Sequence, residues 1–488
     1  MKRHYLILSL ILFLTFIFRF PSLFEPFWYG DEGIFAAVGR NLNHGGVLYQ
    51  TAWDNKPPMI YLTYATIFKF FGVSMFSLRM VTIVVVLATA TVIYEIGVAT
   101  IGVKRALFAA FIFGLLTCLR LIEGNLALTE IFMILPISLA VMITIKRKFD
   151  YLSLFAGGFL IALASLYKQV GAFEAAALGI FIFLWEKDFL TFVKKGFLLS
   201  VGFAIPYLVT TLYFAPKHLI SDYIFAAYTY YRIYLGESPK YAILINIAKY
   251  LPVLTAIFYG LWKKFKLKNV EVFYLFFLWA AFSFLGSYFS GRTYGHYLVQ
   301  ATPAISLLIA SLSRPVRFNK ARVIFALGFF VPLIFLTRLL FSNFLSGGPV
   351  NQIKYWGNFL DFAQGNKSIN AYNDYFDSNV NTIMALADFM RVNKANSQSV
   401  YIWGDYPWLY AIADLKNPTR YVTSFHVFGV PDGQSKVSKI LVENPPVFII
   451  KPKNSIGYFA ELEKLLSADY TLEVKIETAE VYSLKRSR

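Results

Sequence analysis

The sequence predicts a polytopic α-helical membrane protein of about eleven spans that ends in a small α/β domain outside the membrane. Three observations predict it. Of the 488 residues, 57% are hydrophobic and 18% aromatic, where a soluble domain is about 45–50% apolar. Apolar runs recur along the chain, each roughly long enough for the ~30 Å of hydrocarbon in a bilayer. From residue 342 onward the composition turns to Asn, Asp and Lys, and no run there is long enough to span.

The elements follow in order. Met1-Lys2-Arg3-His4 is basic and leads into the apolar stretch 5–20. Bulky residues follow it instead of a small-residue cleavage site, so it reads as a retained signal anchor. Apolar segments fall at 5–23, 80–99, 106–119, 129–145, 151–166, 171–185, 196–214, 248–262, 270–290, 298–313 and 323–341. The net charge of +18 fits either nucleic-acid binding or the excess of Lys and Arg in cytoplasmic loops. The distribution decides. Lys2-Arg3, Lys104-Arg105, Lys146-Arg147-Lys148, Lys187 with Lys194-Lys195, Lys263-Lys264 with Lys266 and Lys268, and Arg314-Arg317-Lys320-Arg322 occupy alternate loops. The charge is therefore topological, and no nucleic acid is expected as partner. The N-terminus is placed in the cytoplasm, and an odd number of spans puts the C-terminus outside. Cys118 is the single cysteine, so no intramolecular disulfide is expected.

This topology sorts the polar loops to the outer face. They are 24–60, Glu123-Gly124-Asn125 to Glu130, Tyr167-Lys168-Gln169, 215–247 with its tyrosine run 228–234, and Gly291-Arg292-Thr293-Tyr294-Gly295-His296. One outward site is expected to gather them. In the first loop, Ile34, Phe35, Val38 and Leu42 share a helical face over 31–43, as in a helix lying in the interface plane with its apolar side in lipid or against the bundle. The stretch 59–71 reads as a second interfacial or re-entrant element. Ser346-Gly347-Gly348-Pro349 reads as a linker. Beyond it, helices are expected at 380–391 and 459–466 and strands at 400–404, 447–450, 470–476 and 481–484. The domains are then 1–341, with its first outer loop at 24–79, and 342–488.

The chain offers no zinc-spaced Cys and His, no phosphate-binding loop and no Ser-His-Asp arrangement. What remains is carboxylates, Lys56, Arg292, His296 and many aromatics. That set suits sugar transfer from a lipid phosphate. A carboxylate can take the proton of an acceptor hydroxyl, cations can meet the charge on a departing phosphate, and aromatic rings can stack on sugars and lipid. A transporter or flippase of lipid-linked sugars would use similar residues. Such proteins commonly show paired halves with broken helices, and no such halves are seen.

Three motifs in order carry a resemblance: Trp28-Tyr29-Gly30-Asp31-Glu32, then Asp54-Asn55-Lys56-Pro57-Pro58, then Gly291-Arg292-Thr293-Tyr294-Gly295-His296-Tyr297 with Gln300 and Pro303. They resemble the GT-C membrane glycosyltransferases, in particular the bacterial branch with the aminoarabinose transferase of lipid A and the protein O-mannosyltransferases. The resemblance implies a polyprenyl-phosphate sugar donor, an acceptor hydroxyl on a glycan, lipid or protein, and work at the outer face of the cytoplasmic membrane. It implies that Asp31 is the base or orients the acceptor; the alternative is a helix cap. Glu32 assists, or complements the helix dipole. Lys56 faces the lipid phosphate, or snorkels to headgroups. Asp54 pairs with Lys56 or helps hold a divalent metal, which some relatives carry and others do without; with no neighbouring His, pairing is favoured. Glu130 matches the acidic residue of the second outer loop, or is a helix-terminal charge. Arg292 and His296 match the late-loop motif and would contact the donor phosphate, with packing against Tyr297 as the alternative for His296. Lys168, a lone cation in a short loop, is a further phosphate candidate.

Overall fold

The computed structural model describes residues 3–234, 242–267, 270–292, 294–313, 320–345, 348–453 and 457–485. Lys2, Lys268, Thr293, Arg314, Arg317, Ser346 and Gly347 lie outside them. The first helices are α1 (Arg3–Arg19), α2 (Gly30–Asn43), α3 (Met59–Phe71), α4 (Met75–Thr100), α5 (Val103–Thr117), α6 (Thr129–Lys146) and α7 (Tyr151–Ser165). Next come α8 (Phe173–Trp185), α9 (Phe189–Phe214), α10 (Ile220–Ile224), α11 (Tyr231–Tyr234), α12 (Ala242–Trp262), α13 (Tyr274–Tyr288), α14 (Thr302–Leu312) and α15 (Lys320–Leu345). The remaining ones are α16 (Gly348–Ala363), α17 (Ile369–Asp374), α18 (Val380–Val392), α19 (Trp408–Ile412), α20 (Ser424–Gly429), α21 (Gly433–Glu443) and α22 (Ala460–Asp469).

The chain divides into two compact units. The first comprises Met1–Ser22, Arg79–Ala215 and Glu237–Tyr355. Each apolar segment read from the sequence is helical here, as α1, α4 to α9 and α12 to α15. Six helical stretches among the described residues are long and apolar enough to cross a membrane: Arg3–Phe24, Met75–Thr100, Thr129–Lys146, Phe189–Lys217, Leu244–Leu267 and Lys320–Arg338. Helix α13 is buried along its whole length and sits at the centre of the core, with Phe181, Leu307 and Phe329 among its fully buried companions. Helices α7 and α9 cross unusually closely. A Cβ on Gly158 would stand 2.0 Å from the Leu199 carbonyl oxygen, and one on Gly202 2.0 Å from that of Phe155. Small residues let helices meet backbone to backbone where no hydrophobic drive exists between them in lipid.

Several of the basic residues of this unit are bonded. Lys146 Nζ meets Glu95 at 2.5 Å and Lys195 Nζ meets Glu186 at 2.6 Å. Lys264 donates to the Glu186 carbonyl at 2.9 Å. Asp150 and Asp188 cap α7 and α9, each accepting a backbone N–H with its side chain.

The second unit comprises Leu23–Leu78, Pro216–Gly236 and Trp356–Arg488. Its sheet has the order β1-β2-β4-β3, built from β1 (Val400–Ile402), β2 (Phe448–Pro452), β3 (Tyr470–Ile476) and β4 (Ala479–Leu484). β1 and β2 are parallel, with Val400 opposite Phe448. Parallel neighbours need a crossover, which α19, α20 and α21 supply. β4 runs antiparallel to β2 and β3. The strands and helices expected after 380 are thus all present.

Two expectations are corrected here. Helix α2 is buried beyond the single apolar face expected of it. Phe35, Ala36, Ala37, Val38, Gly39 and even Arg40 are buried, because α3 and α19 both pack on it. A Cβ on Gly33 would meet the Trp408 ring at 2.8 Å, and one on Gly39 the Ala65 nitrogen at 3.0 Å. The described half of the expected linker, Gly348-Pro349, is the first turn of α16, a place that proline favours because no intrahelical bond needs its missing N–H.

Candidate active site

In the second unit the first motif forms the start of α2. Tyr29 is the N-cap and makes no side-chain cap bond. Asp31 lies inside the first turn, so it does not cap the helix. It is half-buried, and its carboxylate has no bonding partner among the described residues. Glu32 beside it is fully enclosed, at 0% exposure. The Trp408 indole N–H donates to the Tyr29 carbonyl at 3.0 Å, which fixes the turn that presents Asp31.

The second motif follows on the loop before α3. Asp54 and Asn55 are buried. The Tyr61 hydroxyl donates to Asp54 Oδ2 at 2.8 Å, and His426 Nε2 approaches Asp54 Oδ1 at 3.2 Å. Burial by itself would raise the Asp54 pKa. The His426 bond and charge, the Lys56 charge and the Tyr61 hydroxyl outweigh it and hold the carboxyl at about 2. The expected Asp54–Lys56 ion pair is not formed. Lys56 Nζ donates to Asn55 Oδ1 at 3.0 Å instead. Its backbone is clamped, the N–H donating to the Tyr61 hydroxyl at 3.1 Å and the carbonyl accepting from Tyr49 at 2.7 Å. Two tyrosines thus add to the two prolines in fixing where this lysine points.

His426, on α20, was missed by the sequence reading, since only the fold brings it to Asp54. It is 2% exposed. Its Nδ1 has no partner among the described residues, nor has the Trp53 indole N–H, and the two rings meet edge to face at 5.1 Å. Tyr230, from the tyrosine run expected to line a groove or an aromatic belt, is fully buried against Trp53 at 4.9 Å.

In the first unit Glu130, Lys168 and His296 are linked by contacts that run through Tyr297. Lys168 Nζ meets Glu130 Oε1 at 2.5 Å, both nearly enclosed, and Thr129 donates to Glu130 Oε2 at 2.7 Å. Lys168 is therefore not the lone cation expected. It also sits over the Tyr297 ring, 3.4 Å from the centroid. His296 Nδ1 lies 2.6 Å from Glu123 Oε2 and stacks with Tyr294 at 5.5 Å. Its ring meets Tyr297 edge-on at 4.8 Å, so the packing expected of His296 and the polar contact both exist. Arg292 is half-buried on the turn after α13. Gln300 donates to Glu174 Oε1 at 2.8 Å, as does Ser283. Glu174 was passed over, although a carboxylate within an apolar segment is itself a signal, since such groups are expensive in a membrane unless partnered. No group of three or more His, Cys, Asp or Glu suited to a metal ion occurs among the described residues.

No protein-family model matches the chain, and no curated protein matches it by sequence. Solved structures match by fold. ArnT from Cupriavidus metallidurans, solved bound to undecaprenyl phosphate, is similar with a TM-score of 0.59 at 14% identity, over 98% of this chain and 97% of that one. The same protein in the apo state gives 0.58 at 14% identity, over 97% of each chain. An archaeal oligosaccharyltransferase from Archaeoglobus fulgidus matches more loosely, with a TM-score of 0.45 at 12% identity over 91% of this chain and 68% of that one. By fold, then, this chain is similar to ArnT over almost its whole length.

Proposed function

We propose that the chain is a glycosyltransferase that moves a sugar from a polyprenyl-phosphate donor to an acceptor hydroxyl at the outer face of the cytoplasmic membrane. The observation that carries the reading is Asp31, a half-buried carboxylate without a partner among the described residues, held on the first turn of a helix whose middle, Phe35 to Arg40, is buried. The fold it shares with ArnT, a protein solved with undecaprenyl phosphate, supports the donor class.

In this reading the acceptor O–H gives its proton to Asp31 while the oxygen attacks the anomeric carbon. The bond from that carbon to the phosphate oxygen breaks, the configuration inverts, and polyprenyl phosphate leaves with the electron pair. Lys56 stabilises the negative charge gathering on the phosphate, and Glu32 supports Asp31. Asp54 holds the loop that carries Lys56. Arg292 and His296 keep the role implied by their motif, contact with the donor phosphate. Lys168 and Glu130 neutralise each other beneath Tyr297. The test is turnover of purified protein with a polyprenyl-phosphate sugar and an acceptor extract, read as released polyprenyl phosphate. Asp31→Asn should lower the rate by about 10²–10⁴-fold, the usual worth of a general base. A loss below tenfold with the fold intact would remove Asp31 from that role.

A further inference from the structure

We infer that the second unit carries a binding pocket for an anionic glycan beyond the C-terminal end of α2. The pocket has a volume of about 730 Å³, within the ~300–1,000 Å³ usual for ligand sites. Arg40, His44, Lys416, Arg420 and Lys436 line it, and no carboxylate does. Two of these cations and the His44 ring are held by carboxylates outside the lining. Asp414 holds Arg40 at 2.8 Å and His44 at 3.0 Å, and Asp222 holds Arg420 at 2.9 Å. Lys416 and Lys436 are exposed and have no carboxylate partner among the described residues. The pocket therefore keeps a positive surplus after its ion pairs are counted, and that surplus attracts an anion.

The rest of the lining selects among anions. Asn41, Gln50, Asn417 and Thr51 set amides and a hydroxyl among the cations, beside apolar surface from Pro418, Tyr421 and Ile440. Amides donate and accept at once, which fits the alternating hydroxyls of a saccharide. A lipid tail would be better served by a wall with fewer polar groups, such as that of the groove of about 840 Å³ between α13, α14 and α15, lined by Phe284, Leu308, Phe329 and Leu333. The pocket also borders the loop of the second motif. Tyr421 lines it and pairs with Trp53, whose backbone N–H donates to the Arg420 carbonyl at 2.8 Å, and Asp54 is the next residue. Resting on the transferase reading, this makes the acceptor, or the chain extending from it, a glycan bearing carboxylates or phosphates.

The experiment is calorimetric binding to the purified full chain without donor, using a galacturonate hexamer, a phosphorylated disaccharide, a neutral hexasaccharide and a hexaglutamate peptide. At least one anionic saccharide should bind at least tenfold more tightly than the neutral one and the peptide, and Lys416→Ala/Lys436→Ala should abolish that margin. A failure of both anionic saccharides to bind overturns the proposal, as do equal affinity for the peptide and an unchanged margin in the double variant. Donor is absent throughout, so a negative result leaves the transferase reading to the Asp31→Asn turnover assay.

Discussion

Two buried ionic contacts set the behaviour of single residues here. Lys168 and Glu130 face each other at 2.5 Å with almost no exposure. Removing one partner of such a pair strands a buried charge, which costs about 3–5 kcal/mol. Lys168→Met should therefore lower the melting temperature in detergent, and adding Glu130→Gln should recover part of the loss; a single variant that melts like wild type would show that water reaches the pair. Asp54 makes a prediction in pH. Its folded pKa, about 2, lies below the unfolded value of about 3.9. A depressed acid contributes stability that is fully present above the unfolded pKa and is lost as pH falls through the folded one. Stability should fall between about pH 4 and pH 2 by about 2 kcal/mol from this group. Asp54→Asn should flatten that limb of a melting-versus-pH curve, and an identical limb in the variant would contradict the assignment. Asp31, Asp54 and Lys56 were legible because charge beside an apolar run is costly. His426 was not, because nothing local marks a histidine that acts across the fold.

At the scale of elements, periodicity worked where one environment surrounds a helix and failed where several elements compete for it. The long apolar helices of the first unit were readable because a bilayer demands length and apolarity together. Helix α2 shows the failure. Its polar residue Arg40 reads as outward-facing, yet it is 7% exposed and bonded to Asp414 at 2.8 Å, so the middle of a nominally amphipathic helix is enclosed. The α7–α9 crossing shows what apolarity alone does not specify. A side chain at Gly158 would collide with the Leu199 carbonyl, and backbone cannot move aside as a flexible side chain can. Gly158→Val should destabilise the bundle by at least the ~1–3 kcal/mol typical of overpacking, whereas Gly196→Ala, where nothing lies within 4 Å, should be close to neutral. Equal melting temperatures for the two variants would mean that the helices do not cross this closely.

At the scale of the whole molecule, the proposed topology is open to direct labelling. In a Cys118→Ser background, Val392→Cys, 80% exposed in the wild type, should react with a membrane-impermeant maleimide on intact cells. Lys148→Cys, in an exposed basic turn, should react only after permeabilisation; the reverse pattern would invert the topology. The sequence by itself determined the membrane class, the helical segments, the late strands and the motifs that resemble GT-C enzymes. It could do so because hydrocarbon thickness, strand periodicity and the cost of charge near lipid act locally along the chain. Only the tertiary structure decided that 23–78 and 216–236 form one compact unit with 356–488. It also decided that Lys168 is paired, that Asp54 answers to His426 and that four cations and a histidine line one cavity. Those results depend on contacts between distant segments, and a local pattern carries no record of them.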